Sequence, residues 1–348
     1  MPVKKLFYSA ILLIFWAASA RQSAGPDDTR PGPVPDEDPY VSVESYPDAS
    51  PPEVVQTWFA MDPGSEQFLR YCAILENKDR DHVIQDLSMA VTAFDQQGNR
   101  TGSTSSHISL LYPSSQQPLA GYLMLDLPAE VDRIEVTFDQ PGKAVPLKEA
   151  PGGSQANPLV ASSAHFATIN NAPVVIAEVK NTLDQVARYI NVTAVAYDES
   201  GSLIDAGPAY IDFIHPGKQL GVQVDLKTGQ IPARVELFPL APAPYDWINP
   251  SQEEVIVGNA LARLASEEMV KLIFIIENHS GRAIASPRYI ATIYDAAGIP
   301  VAATTYGETN PVFQGGQTVE VVHIAIKPHE QVSRADIQLN PEHEDTYL

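Results

Sequence analysis

Apolar and polar residues alternate along much of this chain with a period of two, which is the pattern of a half-buried β-strand. The alternation recurs at 71–75, 175–179 and 272–276, and again at 87–93, 190–196 and 289–293. A helical stripe is found at 259–271, where the sequence permits either a short helix or the approach to a strand. The pattern as a whole predicts an all-β protein.

Three landmarks recur in the same order, which indicates that one unit has been duplicated. Each copy has an asparagine at the end of one strand, then an aromatic residue followed by an aspartate, and a glycine three positions after the aspartate. The matching residues are Asn77, Asp95 and Gly98, then Asn181, Asp198 and Gly201, and then Asn278, Asp295 and Gly298. A spacing of about one hundred residues fits one β-sandwich domain and is too long for a solenoid repeat.

These landmarks predict three tandem Ig-like β-sandwich domains, at residues 53–150, 158–240 and 250–342. The segment 152–157 between the first two is polar and glycine-containing, and the segment 239–249 before the third is rich in proline. Because proline limits swivelling in a linker, the sequence favours three domains strung out semi-rigidly over three domains packed on one another.

Turns explain the repeated polar residues. Aspartate accepts hydrogen bonds from backbone N–H groups two residues on, and glycine takes the positive φ that ends a hairpin. Asparagine tolerates the left-handed region and bonds its own backbone. The alternative is that these side chains supply oxygens to Ca²⁺, but the sequence lacks the dense acidic loop of such sites. We therefore predict no metal site and no cofactor.

The N-terminus has the three parts of a secretory signal peptide. Lys4 and Lys5 precede an apolar run that ends at Ala18, and Ala18-Ser19-Ala20 supplies the small residues that signal peptidase needs. Residues 1–20 are predicted to be cleaved after Ala20, which makes the protein secreted or extracytoplasmic. An uncleaved anchor is the alternative, although the run is short for a membrane span.

Residues 21–52 are rich in proline, aspartate, glutamate and serine, and they predict a disordered acidic leader. The whole chain has a formal charge of −21, which disfavours nucleic acid and anionic lipid headgroups as partners. We expect no stable membrane insertion after cleavage. Cys72 is the only cysteine and lies in an apolar stretch, so a small buried side chain is predicted and an intramolecular disulfide is excluded.

The second copy carries a resemblance to a known family. Val179-Lys180-Asn181, the alternating stretch up to Tyr197-Asp198 with Gly201, and the turn at Pro216-Gly217 resemble the FxLyD-type domain. The first copy departs from the pattern at the turn, with Pro113-Ser114, and the third departs with Gly315-Gly316. The resemblance implies small Ig-like β-sandwiches on an exported prokaryotic protein, and it implies no shared catalytic residues and no defined ligand.

Aromatic residues outside the repeated positions are the candidates for a binding surface. They are Trp58, Tyr112, Tyr245 and Trp247. For Trp247 the alternative is a wedge between the second and third domains. The histidines do not cluster, and the sequence lacks the metalloprotease, nucleophile-elbow, phosphate-loop and dinucleotide motifs. The sequence therefore predicts no catalytic residue.

The leading hypothesis is a non-catalytic exported scaffold, spacer or binding protein at the cell surface or in the extracellular space. Its expected partner is a protein or polysaccharide at the cell surface. The second hypothesis is a carbohydrate-binding protein that uses linker or loop aromatics. The third is an enzyme with a site between domains.

Overall fold

The computed structural model describes residues 46–126, 128, 130–153, 156–250, 255–266, 269–279, 284–285, 288–307, 312–313, 318–326 and 332–340. The predicted signal peptide and residues 21–45 of the predicted leader lie outside these residues. The described part holds 22 strands and two short 3-10 helices, at Leu147–Glu149 and Pro244–Asp246. The prediction of an all-β, sandwich-type fold is confirmed.

The first seven strands form two antiparallel sheets that pack on one core, the first sheet pair. They are β1 (Glu53–Met61), β2 (Phe68–Glu76), β3 (His82–Phe94), β4 (Arg100–Leu111), β5 (Gln116–Met124), β6 (Arg133–Gln140) and β7 (Lys143–Pro146). One sheet has the order β1-β2-β5, and the other has the order β4-β3-β6 with β7 beside β3. Leu87, Met89 and Val91 of β3 share the core with Leu69 and Leu75 of β2, as the period of two predicts.

The second sheet pair repeats this strand order. Its strands are β8 (Leu159–Ile169), β9 (Ala172–Asn181), β10 (Val186–Tyr197), β11 (Leu203–Ile214), β12 (Gln219–Asp225), β13 (Arg234–Pro239) and β14 (Trp247–Ile248). The sheets are β8-β9-β12 and β11-β10-β13, with β14 beside β10. Each strand therefore takes the place of the strand seven earlier in the count, down to the short strand that pairs with the start of β3 or β10.

The third sheet pair has the same order again, with short extra strands. It comprises β15 (Val255–Ser266), β16 (Met269–Asn278), β17 (Ile284–Ala285), β18 (Arg288–Tyr294), β19 (Pro300–Gly307), β20 (Val312–Phe313), β21 (Thr318–Ile326) and β22 (Arg334–Asn340). The sheets are β15-β16-β21 and β19-β18-β22, and β17 pairs with β20. Residues 259–266 and 269–271 are strand, not helix, because β15 and β16 pair there in antiparallel register.

Residues 46–52, which the sequence assigns to a disordered leader, contact the first sheet pair. Pro47 accepts a hydrogen bond from the Ala144 N–H, and the Ala49 N–H donates to Gly142. Ala49 is buried in the first core, and Asp48 pairs with Lys143 at 2.5 Å. The prediction of a disordered leader up to residue 52 is therefore wrong for residues 46–52, because this segment adds backbone and side-chain contacts to the first sheet pair.

The first and second sheet pairs share a buried ion pair. The guanidinium of Arg70, on β2, lies 2.5 Å from the carboxylate of Asp205, on β11, and the two side chains are 3% and 1% exposed. Asp205 also accepts the backbone N–H groups of Ala206, Lys227 and Thr228. A buried charge that is both paired and hydrogen-bonded escapes most of the penalty of leaving water.

Apolar residues close the same interface. One cluster joins Cys72 and Ile74 of β2 with Val195 and Tyr197 of β10 and Leu203 of β11. The core of the second sheet pair likewise includes Val83, Leu110 and Tyr112 of the first. The burial prediction for Cys72 agrees with its full burial, and its neighbours include residues from both sheet pairs.

The second and third sheet pairs also touch through buried polar groups. The Gly221 N–H donates to the hydroxyl of Thr292 at 2.6 Å, and the Tyr294 hydroxyl donates to Glu178 at 2.9 Å. A Cβ atom at Gly221 would lie 2.6 Å from the Thr292 methyl carbon, so only glycine lets β12 approach β18 this closely.

The expectation of domains strung out on linkers is thus wrong for the described residues. The segment 239–249 is part of the fold, because Leu240 packs in the first core and Trp247-Ile248 forms β14. The Asn157 amide donates to the Pro239 carbonyl at 2.7 Å, which ties the two segments together. From Tyr46 onward the described chain forms one compact unit. Its division into three domains with the boundaries given above stays a prediction.

Candidate functional site

Two of the four predicted aromatic binding residues are buried. Trp247 packs in the core of the second sheet pair, where its indole N–H points to the Pro242 carbonyl at 3.4 Å. Tyr112 is buried in the same core and donates its hydroxyl to the Pro151 carbonyl at 2.6 Å, and burial raises the pKa of Tyr112. The prediction of these two as ligand-binding residues is wrong, because neither ring is open to solvent.

The other two differ from each other in exposure. Trp58 is half-buried against the interface cluster of the first two sheet pairs, and the Arg70 guanidinium carbon lies 5.9 Å from its ring centre. Tyr245, in the second 3-10 helix, is 77% exposed. Trp58 thus covers a buried ion pair, while Tyr245 is the one residue of the predicted four whose ring is largely open to solvent.

The repeated aspartates and glycines lie in hairpin turns. Gly98, Gly201 and Gly298 have φ values of 78°, 82° and 81°. Each N–H donates to the carbonyl of the aspartate three residues before it, at Asp95, Asp198 and Asp295. Hydrogen bonds from neighbouring groups, led by the Asn99 side chain for Asp95 and the Ser200 side chain for Asp198, lower the pKa of these two carboxylates.

The repeated asparagines do more than end a strand. The Asn77 amide donates to the His82 and Leu111 carbonyls, and the Asn181 amide donates to the Gln185 and Ile214 carbonyls. Leu111 and Ile214 end the strands β4 and β11, which belong to the opposite sheet. Each of these buried asparagines, like the buried Asn278 by position, therefore lies where one sheet of its pair meets the other.

A surface that the sequence did not single out is the strongest candidate for a binding site. Tyr189 of β10 and Tyr210 of β11 are 44% and 47% exposed, and their ring centres lie 6.4 Å apart with a 23° angle between the rings. The Arg188 guanidinium carbon is 4.7 Å from the Tyr189 ring centre, and Arg188 donates to the Tyr189 hydroxyl at 2.5 Å. We call Arg188, Tyr189 and Tyr210 the tyrosine platform.

Backbone geometry sets the position of the platform. Tyr189 has a φ of 57°, in the left-handed region that a bulky residue rarely adopts. Arg188 and Ile190 pair with β11, but Tyr189 has no partner in that ladder. Tyr210 pairs with Asn191, so the two tyrosines are diagonal neighbours across the strands, a distance that aromatic side chains can span.

Charged groups surround the platform. Burial, Asp212, Tyr189 and Asp246 raise the pKa of Tyr210, and Arg288 opposes them. Burial also raises the pKa of Asp246, against the effect of Arg188. Arg288, from the third sheet pair, lies 3.3 Å from the carboxylate of Asp212. The platform is thus bordered by both signs of charge.

A crevice of about 100 Å³ begins at Tyr210 and runs between the second and third sheet pairs. Gly221, Gln223, Ile290, Thr304 and Thr305 contribute to its walls. It is small beside a ligand pocket, which usually encloses ~300–1,000 Å³. The crevice can therefore take a small substituent but not a whole ring.

The first sheet pair has the same backbone feature with other side chains. Asp86 of β3 has a φ of 56°, and it lies as far before Asp95 as Tyr189 lies before Asp198. Its diagonal neighbour is His107, which corresponds to Tyr210 and pairs with Ser88. The His107 ring lies 3.6 Å from the Asp86 carboxylate. Of these two sheet pairs, the second therefore carries the tyrosine platform and the first does not.

The missed residues left one signal in the sequence. Tyr189 and Tyr210 each sit in an alternating strand, where a tyrosine reads as ordinary packing. When the copies are aligned on Asp95 and Asp198, Tyr189 corresponds to Asp86 and Tyr210 corresponds to His107. The two tyrosines are therefore aromatic residues with no aromatic counterpart in the first copy.

Other kinds of site are not found in the described part of the chain. No group of three or more histidine, cysteine, aspartate or glutamate side chains there could hold a metal ion. No helix among the described residues is long and apolar enough to cross a membrane. An open pocket near Asp62 and Glu66 is lined by an acidic loop and adds no converging chemistry.

No family model matches the chain, and no curated protein matches it. Among solved structures, it is similar to a β-glucuronidase from glycoside hydrolase family 2, with 10% identity, a TM-score of 0.17, and coverage of 77% of this chain and 26% of that one. The chain thus spans about a quarter of that enzyme's length.

The Bacillus subtilis oxalate decarboxylase gives 7% identity and a TM-score of 0.10, over 56% of this chain and 72% of that one. The Lactobacillus farciminis oxalate decarboxylase gives 12% identity and a TM-score of 0.09, over 85% of each chain. Likenesses this weak carry no inference about activity, and the resemblance to the FxLyD-type domain stays a prediction.

Proposed function

We propose that this protein is a non-catalytic, exported scaffold that presents a binding surface at a fixed position, at the cell surface or in the extracellular space. Export rests on the signal-peptide pattern that ends at Ala20. The single observation that carries the scaffold is the set of buried polar contacts between successive sheet pairs. Arg70 with Asp205 joins the first to the second, and Gly221 with Thr292 joins the second to the third.

Buried contacts of this kind suit a scaffold because they define one arrangement. A buried ion pair breaks at a high cost when one partner leaves, and the contact at Gly221 requires the two strands to touch. A spacer whose domains are joined by free linkers needs neither a buried ion pair nor a close contact between strands of different domains. The scaffold proposal thus replaces the version of the same hypothesis in which semi-rigidly strung domains act as a spacer, and it keeps the cell-surface protein or polysaccharide as partner.

The test measures the distance between the first and third sheet pairs. Spin labels at Ser105 and Ser333, both exposed, are introduced by cysteine substitution in a Cys72→Ala background. Pulsed electron spin resonance should give one narrow distance distribution for the full chain. Adding Arg70→Met should broaden it. A distribution that is already broad or has several maxima without Arg70→Met would overturn the scaffold.

A carbohydrate ligand is a second candidate function, because one observation favours it over other ligands. The tyrosine platform is an exposed aromatic surface with charged groups of both signs at its border. Of the linker aromatics Trp247 and Tyr245, which first suggested this function, Trp247 is buried and no longer supports it, whereas Tyr245 is 77% exposed.

A further inference from the structure

We propose that the tyrosine platform and the adjoining crevice form a binding site for a neutral pyranose carbohydrate. The inference rests on the proposed function, since the crevice exists only if the second and third sheet pairs stay together. It names the ligand class that the scaffold presents and the residues that contact it.

The aromatic rings supply the apolar half of such a site. One face of a pyranose ring carries C–H groups, and these pack against an aromatic ring as other apolar surfaces do. Tyr189 and Tyr210 are both exposed, and their rings lie 23° from parallel with centres 6.4 Å apart, so two aromatic rings are available to a ligand at one patch of surface. Tyrosine suits this role because it adds a polar hydroxyl to a large apolar ring.

The platform is held in place before any ligand arrives. Arg188 contacts the face of the Tyr189 ring and its hydroxyl, and the left-handed backbone at Tyr189 fixes where the ring leaves the strand. Both tyrosines lie on strands rather than on a loop. Fixing side chains in advance reduces the entropy lost on binding.

Polar groups at the border match a sugar's hydroxyls. Arginine offers several N–H donors and a carboxylate offers several acceptor positions, so neighbouring pairs of the two can bond adjacent hydroxyl groups. Arg288 with Asp212 provides one such pair beside Tyr210, and Arg188 adds a further donor at Tyr189. Sugar sites commonly combine a few placed polar groups with an apolar surface in this way.

The crevice explains how a ligand could be oriented. Gln223, Thr304 and Thr305 line it next to Tyr210, so its walls carry hydroxyl and amide groups. At about 100 Å³ it fits an exocyclic hydroxymethyl group and leaves the pyranose ring on the platform.

Charge decides against an anionic ligand. The chain has a formal charge of −21, and at the platform itself the carboxylates of Asp212 and Asp246 are balanced by Arg188 and Arg288. An acidic polysaccharide would therefore be repelled on approach, whereas a neutral one pays no such cost. A peptide partner is the competing occupant and is tested below.

The experiment uses the full mature chain and calorimetric titration with defined probes. The neutral probes are the hexamers of β-linked glucose, mannose and xylose, the anionic probe is an oligogalacturonide, and the competing probes are a tyrosine-rich peptide and a basic peptide. We expect at least one neutral hexamer to bind and the anionic probe not to bind. Tyr210→Ala should weaken binding roughly tenfold, and Tyr210→Phe should keep most of it because the ring remains.

Two further variants separate binding from folding. Tyr189→Asn keeps a residue that accepts a positive φ while removing the ring, and it should weaken binding as Tyr210→Ala does. Tyr122→Ala removes an equally exposed tyrosine on β5 that is not one of the three platform residues, and it should leave binding unchanged. Thermal unfolding of each variant shows that the fold is intact.

The outcomes are distinct. Binding that both platform variants weaken and Tyr122→Ala does not affect supports the site. Absence of binding to every neutral hexamer, binding that survives both variants, or preferential binding of a tyrosine-rich or basic peptide overturns it. A narrow spin-label distance with no sugar binding would reject the sugar site and keep the scaffold. Chromatography that finds cleaved hexamer would instead reject the non-catalytic function.

Discussion

The first and second sheet pairs share one backbone device and use it for different side chains. At Asp86 and at Tyr189 a central strand passes through the left-handed region, with φ of 56° and 57°. The first sheet pair places a carboxylate there, opposite His107, and the second places an aromatic ring there, opposite Tyr210.

The difference shows which features belong to the scaffold and which belong to a site. Strand order, the buried asparagine and the aspartate turn are common to both sheet pairs. The side chain at the left-handed position differs between the two sheet pairs: it is a carboxylate at Asp86 and an aromatic ring at Tyr189. The two sheet pairs therefore share what the fold needs and differ in exposed chemistry where the fold tolerates it.

The largest expected loss of stability comes from breaking the buried contact between the first and second sheet pairs. Arg70→Met leaves the buried carboxylate of Asp205 without its guanidinium. We expect the free energy of unfolding to fall by about 3–5 kcal/mol, the usual cost of removing one partner of a buried pair. Urea unfolding followed by far-UV circular dichroism measures it.

The matched control for this change is Arg133→Met, which removes an exposed ion pair with Glu135 in the same sheet pair. Its expected cost is below about 1 kcal/mol, because solvent screens exposed pairs. Equal losses for Arg70→Met and Arg133→Met would show that the buried pair does not hold the two regions together.

A smaller effect tests whether the shared asparagine does the same work in both regions. Asn77→Ala and Asn181→Ala each leave two carbonyl groups without their donor. We expect each to lower the free energy of unfolding by about 3 kcal/mol, since buried polar groups without partners are costly. The same urea titration measures both.

Asn191→Ala is the control for the asparagines, because Asn191 is exposed on β10. It should change the free energy of unfolding by less than about 0.5 kcal/mol. A large loss for only one of Asn77→Ala and Asn181→Ala would mean that the two regions differ in their cores as well as on their surfaces.

The smallest effect tests the shared left-handed residue. Asp86→Val and Tyr189→Val put a β-branched side chain at positive φ, which should cost about 1–2 kcal/mol at each site. Ser105→Val and Asn191→Val, on strands in the same two sheet pairs, should cost much less. Thermal unfolding compares the four variants, and no extra cost at the left-handed sites would contradict the shared device.

Sequence periodicity predicted the strands well because burial follows it directly. Leu87, Met89 and Val91 were expected on one face, and all three are fully buried. The same local pattern cannot show how one sheet pair meets the next. Arg70 reads as a surface residue in its strand, and Asp205, 135 residues later, is the partner that makes its burial possible.

The candidate site was mispredicted for a related reason. Trp247 lies in a proline-rich segment that reads as a linker, but its backbone pairs with Ala187 and draws the indole into the core. Tyr189 and Tyr210 read as packing residues, and a change in φ at one residue brings Tyr189 to the surface. Neither a ladder partner nor a left-handed φ can be found from local composition.

The burial of Cys72 makes the labelling rate of its thiol a measure of how often the packing around it opens. Burial raises the pKa of its thiol to about 12, so at neutral pH almost none of it is the reactive thiolate. Its neighbours include Val195 and Leu203 of the second sheet pair, so a thiol reagent can reach it only when that packing opens. The rate at which Cys72 is labelled therefore reports how often the two sheet pairs come apart in the native protein.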